Sequence, residues 1–141
     1  MQNKLTIYYS GNELMDDDAM PFRLLPGLLK KFPNIDFVHH DPSENLPVND
    51  NNNIYDLIII DTVAGIDKVI AITDIDQLQT DSVYSPHDWD LALNLKLLVK
   101  LGKIKKFLII GVPGVGEVDE LVDSVEDIIV KYCHILSVIP A

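Results

Sequence analysis

Three residues far apart along the chain carry side chains able to share a cation: Asp18, Asp61 and His87. Two carboxylates and an imidazole supply the oxygen and nitrogen donors that suit zinc, nickel or another borderline cation. Three protein ligands leave coordination positions open, the layout of a reactive or shared metal rather than of a closed structural one. Near a helix amino terminus the positive end of the dipole disfavours imidazolium, so His87 is expected in the neutral form that binds metal. Each residue also has a simpler reading. Asp18 could cap the helix after it, Asp61 could merely end a strand, and His87 could occupy an exposed first turn. His39, His40 and Asp41 form a rival or supplementary cluster. At most one of these histidines is expected to join, because adjacent strand residues point to opposite faces.

The elements that must position these residues can be read along the chain. Leu5 to Tyr9 has the apolar, partly aromatic content of a buried strand, stopped by Ser10-Gly11-Asn12. A loop with Glu13 and Asp16-Asp17-Asp18 follows. Met20, Leu24, Leu25, Leu28, Leu29 and Phe32 have helical spacing, but Pro26-Gly27 cuts through them and predicts a kink or a late start. Ile35 to Val38 reads as a second strand, and 43–53, rich in asparagine and proline, as surface loop. Leu57-Ile58-Ile59-Ile60, ending in Asp61, is a continuous apolar run of the kind found in central strands buried on both faces. Lys68 to Thr73 follows too soon for a helical crossover and so predicts an antiparallel or edge strand.

Ser85-Pro86-His87-Asp88 has the form of a capping box with proline at the first helical position. Leu91, Leu95 and Leu98 supply that helix's buried stripe, and Gly102 its stop. Phe107 to Val112 is a last buried strand. Val118, Leu121, Val122, Val125, Ile128, Ile129 and Tyr132 give one face of a final helix, with Glu117, Asp119 and Glu120 complementing its amino-terminal dipole. The expected fold is a three-layer α/β domain. Its mostly parallel, five-stranded twisted sheet has one antiparallel edge strand and helices on both faces. In such sheets the loops leaving the carboxyl ends of strands converge where strand order reverses. If the first and third strands are neighbours, the loop of Asp18 and the end of Asp61 open into that crevice, and His87 can face it.

Length and charge narrow the function classes. A chain of 141 residues with 48% hydrophobic content makes one domain, expected to span 1–141. A formal net charge of −11 repels phosphate backbones and anionic membrane surfaces, so nucleic acid is not an expected partner. No segment has the length and apolarity of a membrane span, so no membrane insertion is expected, and with no leader pattern at the amino terminus a cytoplasmic location is. The single cysteine, Cys133, falls in an apolar helical stripe and reads as a small buried hydrophobe. Gly111, Gly114 and Gly116 do not make a phosphate loop, since no lysine follows and Glu117 would repel the anion.

Four segments in register resemble the nickel-iron hydrogenase maturation endopeptidases: 10–18 (SGNELMDDD), 56–61 (DLIIID), Ser85-Pro86-His87 and Leu108-Ile109-Ile110-Gly111-Val112. The resemblance covers nearly the whole chain. It implies an endopeptidase of aspartic type that removes the carboxyl-terminal extension of the hydrogenase large-subunit precursor after nickel insertion. It also implies that Asp18, Asp61 and His87 are catalytic and contact the metal. The nickel belongs to the substrate, and zinc or cadmium could stand in for it in a crystal. Where the family has a glycine and threonine rich turn after the second strand, this chain has 39–45 (HHDPSEN). That difference keeps open a non-proteolytic, metal-sensing chaperone or assembly factor of the same family. A receiver-like domain phosphorylated on Asp61 is a further alternative, disfavoured because the last strand runs into Gly111-Val112-Pro113 with no lysine to neutralise an aspartyl phosphate.

Overall fold

The computed structural model describes residues 5–41, 44–47, 54–78 and 86–138, with the side chains of 17 and 86–92 outside the description. Strands β1 (Thr6–Tyr9), β2 (Asp36–His39), β3 (Leu57–Thr62), β4 (Ile70–Ile72) and β5 (Phe107–Val112) form one sheet in the order β2-β1-β3-β5-β4. All neighbours are parallel except β4, which pairs antiparallel with β5 at the edge. Helices α1 (Met20–Lys31) and α3 (Val118–Cys133) cover one face and α2 (Pro86–Lys100) the other. This is the expected three-layer α/β architecture. It also separates the chain from receiver domains, whose strands after the third follow in chain order. Here β5 lies between β3 and a reversed β4.

Period-two alternation divides the central strands between two cores. Ile58, Ile60, Leu108, Ile110 and Val112 face α1 and α3, while Leu57, Ile59, Phe107 and Ile109 face α2. All six residues of β3 and of β5 are buried, which explains why both read as unbroken apolar runs. Each fully buried isoleucine or leucine contributes about 1.5–3 kcal/mol. By the same alternation Asp61 points to the α2 side.

Helix α1 begins at Met20 and runs on through Pro26 to Lys31, so of the two expectations the late start does not occur. Gly27 has a tertiary reason to be there: a Cβ on it would lie 2.9 Å from Cγ2 of Val122 on α3. The glycine lets two helices approach rather than breaking one. Strand β2 is also displaced by one residue from the apolar run, because its register follows β1, with Thr6 opposite Asp36 and Tyr9 opposite His39.

The ends of α2 and α3 follow local rules. The backbone N–H of Gly102, at φ +74°, donates to Val99 O (3.1 Å), and that of Lys103 donates to Leu98 O (2.9 Å). These two bonds make the Schellman closure that the glycine suggested. Ser85, the expected cap at the other end of α2, lies outside the described residues, as does the side chain of Leu91; Leu95 is buried and Leu98 partly so. At α3, Glu117 accepts from the Glu120 N–H at 2.9 Å. Cys133, the last residue of α3, is buried in the core, and burial pushes its thiol up to about 11, so it behaves as a hydrophobe.

Lys31 joins α1 to α3, 2.9 Å from Glu126 and 3.3 Å from Asp123, and Ser137 donates to the same Glu126 carboxylate. The serine hydroxyl and then the lysine hold the Glu126 carboxyl below the usual range. A depressed carboxylate contributes stability that is present above its unfolded value, near 4.3, and is lost as pH falls through the folded one. Glu126→Gln is therefore expected to flatten the fall in urea midpoint on acidification below about pH 4.3. An acid limb unchanged in the variant would show that these contacts carry no linkage.

Candidate functional site

Strand order reverses between β1 and β3. From β1 the chain moves to β2 on one side, then crosses back to β3 on the other. The crevice of an open α/β sheet lies outside the carboxyl ends of the strands at such a point. The Ser10 N–H donates to Ile60 O at 2.9 Å, which seats the exit of β1 directly beside Asp61.

The loop that follows is tied at both ends. The Asn12 N–H donates to Asp18 O (3.0 Å), Met15 N–H to Asn12 O (3.1 Å) and Asp18 N–H to Met15 O (2.9 Å). The Asn12 side chain adds an Asx turn by accepting from the Leu14 N–H at 3.0 Å. Residues 12–18 are thereby folded back so that Asp18, at the end of a 3-10 turn (Asp16–Asp18), lies over Gly11. The contact leaves no room for a side chain. A Cβ on Gly11 would stand 2.4 Å from Asp18 O and 3.6 Å from its Oδ1, and Gly11 adopts φ +125°. The N-cap of α1 is Ala19, whose own side chain makes no cap bond.

Asp61 is 6% exposed, and its Oδ1 accepts from the Thr62 N–H at 3.0 Å. It stands opposite Gly111 on β5, where a Cβ would be 2.8 Å from Cγ2 of Val63 and 3.0 Å from Cγ1 of Ile70. A buried carboxylate at the end of a central strand is a feature that functional sites often carry.

The structure therefore folds Asp18 onto Gly11, just after β1, and places Asp61 near the end of the neighbouring β3. His87 is the second residue of α2, and its side chain lies outside the description. Among the described residues no three His, Cys, Asp or Glu side chains group closely enough to hold a metal ion.

Of the rival cluster, His39 is the histidine that reaches the Gly11 turn. Its Nε2 lies 3.4 Å from Gly11 O, and its ring packs on Tyr9 (5.3 Å) and Phe22 (5.1 Å) between centroids. The available signal was register: with β1 and β2 parallel and Tyr9 opposite His39, the histidine sits at the same sheet edge as the Gly11 turn. His40 is buried, and burial lowers its pKa against the opposing pull of Glu44 and Asp41, which favours a neutral ring. The two histidines thus do differ in environment, as strand alternation requires.

Fold and switch point together define an α/β protein with Asp61 near the carboxyl end of its third strand and Asp18 in the loop that leaves its first. No family model matches the sequence, and no curated protein matches it. Among solved structures the chain is similar to the hydrogenase maturating endopeptidase HybD from E. coli, with a TM-score of 0.59 and 16% identity over 92% of this chain and 93% of that one. The resemblance read from four short segments is thus borne out as a shared fold over nearly the full length of both chains. Among the described residues no helix is long and apolar enough to cross a membrane.

Proposed function

We propose that this chain is an endopeptidase that removes the carboxyl-terminal extension of a nickel-iron hydrogenase large-subunit precursor once nickel is in place, working in the cytoplasm. The observation that carries the reading is the buried Asp61 at the switch point, with Asp18 held across Gly11, on the fold of a hydrogenase maturating endopeptidase. In this reading Asp18, Asp61 and His87 contact the metal that the precursor brings. Three protein donors leave coordination positions open, and in this reading the loaded precursor completes the coordination. Hydrolysis then uses a water activated at the metal. Cleavage follows metal insertion because an empty precursor gives the site nothing to grip.

The test is to incubate the protein with nickel-loaded and nickel-free precursor and to follow the shortened product by mass. Cleavage of the loaded form alone is expected. Equal cleavage of both forms would contradict metal-dependent docking, and absence of product from both would contradict the peptidase reading. The residues after β2 favour a second reading, a metal-sensing assembly factor without proteolysis, since His39 packs beside Gly11 where the family has its glycine-rich turn. Tight binding of loaded precursor with no shortened product would identify it.

A further inference from the structure

We propose that the outer face of α2 is a docking surface for an acidic, apolar-centred face of the precursor; the proposal rests on the endopeptidase reading above. Leu93, Leu97 and Leu101 are 54%, 56% and 60% exposed. They recur every fourth residue, and the Leu101 N–H donates to Leu97 O at 2.9 Å, so the three stack along one side of the helix and its closing turn. Leu95, by contrast, is buried beneath the helix against the sheet. Scattered exposed leucines are ordinary, whereas a contiguous row on the solvent side of a helix marks an interaction surface.

Charge narrows the occupant. The chain carries a net charge of −11, yet no Asp or Glu occurs between Asp90 and Glu117, while five of its eleven basic residues fall within 96–106. Lys96 and Lys100 border the leucine row at helical spacing, and Lys103 follows it. A basic rim around an apolar centre complements an acidic partner with apolar side chains at its middle. An anionic membrane would have to approach the strongly acidic remainder of the molecule as well, and is disfavoured by repulsion. A second copy meeting this face with its own would bring two lysine rims together, which disfavours a symmetric contact.

The position fits a protein substrate. A specific interface buries roughly 1,200–2,000 Å² in total, far more than a crevice around two carboxylates supplies. Helix α2 opens with Pro86 and His87, the third donor in the proposed set, and its fifteen residues extend about 22 Å from that end. A protein held with its scissile segment near His87 therefore lies along α2.

The test compares Leu97→Asp and the double variant Lys100→Glu, Lys103→Glu with the wild type, reading KM and kcat for cleavage of nickel-loaded precursor and, separately, its binding in a pull-down. Both variants alter exposed side chains distant from Asp18 and Asp61, and circular dichroism checks that they fold; Leu97→Gln serves as the milder second variant. We expect KM and the binding constant to rise about tenfold or more, with kcat within about twofold, as for loss of a central apolar or charged anchor. Unchanged KM and binding would overturn the docking surface even where cleavage proceeds. If the wild type cleaves nothing, the peptidase reading fails, and the pull-down still decides the docking surface. A wild-type dimer that Leu97→Asp dissociates in sedimentation would instead make the face a self-interface. Vesicle binding to phosphatidylserine lost in the charge reversal would make it a lipid surface. Either result overturns the proposal.

Discussion

Asp61→Asn is expected to lower the rate of precursor cleavage by about 100-fold or more while the protein stays folded. The substitution keeps the shape of the side chain and an oxygen able to accept from the Thr62 N–H, so the local hydrogen bond of 3.0 Å survives. What it removes is the negative charge at a position only 6% exposed. Activity and stability are read separately, so the urea midpoint shows whether a loss of cleavage reflects chemistry or unfolding. Full cleavage by the variant would remove Asp61 from the mechanism, and a collapse of stability would show that its charge serves the fold.

The second large effect is expected at Gly11. An added methyl would stand 2.4 Å from the Asp18 carbonyl oxygen, well inside van der Waals contact, and φ +125° is a conformation that L side chains rarely adopt. Strain and overlap together should cost Gly11→Ala about 3 kcal/mol. In a domain of this size that is a fall in melting temperature of roughly 10 °C. Any relief must come from moving the carbonyl of Asp18, so the carboxylate shifts with it and cleavage is lost along with stability. The readout is thermal denaturation alongside the cleavage assay. A variant as stable and active as the wild type would mean that the 12–18 loop does not depend on this close approach.

What the sequence disclosed and what it hid follow from how local each signal is. β3 was legible because six consecutive residues are buried on both faces, so no alternation obscures the run and its polar end stands out as Asp61. Gly102 was legible because a Schellman closure is a property of a few neighbouring residues. Pro26-Gly27 did not disclose the close approach of two helices, because the reason for the glycine lies on another helix, at Val122, and nothing near it in sequence reports that contact. His39 was legible as one of a cluster of which at most one histidine would join, but its meeting with Gly11 depends on parallel pairing across 28 positions, which spacing within β2 does not express. On α2 the leucines recur in more than one phase, so the stripe of Leu91, Leu95 and Leu98 was readable while the outer row at Leu93, Leu97 and Leu101 was not separated from it. The Asp18 and Asp61 pairing was legible only through an assumed topology, and the order β2-β1-β3 supplies it.

The account turns on three donors, distant in the chain, gripping one cation that another protein delivers. A crystal structure grown with cadmium, with the ion located by its anomalous scattering, tests this most directly. The account predicts a single ion bound at once by carboxylate oxygens of Asp18 and Asp61 and an imidazole nitrogen of His87. An ion held elsewhere, or a His87 ring turned away while the two aspartates hold none, would contradict it.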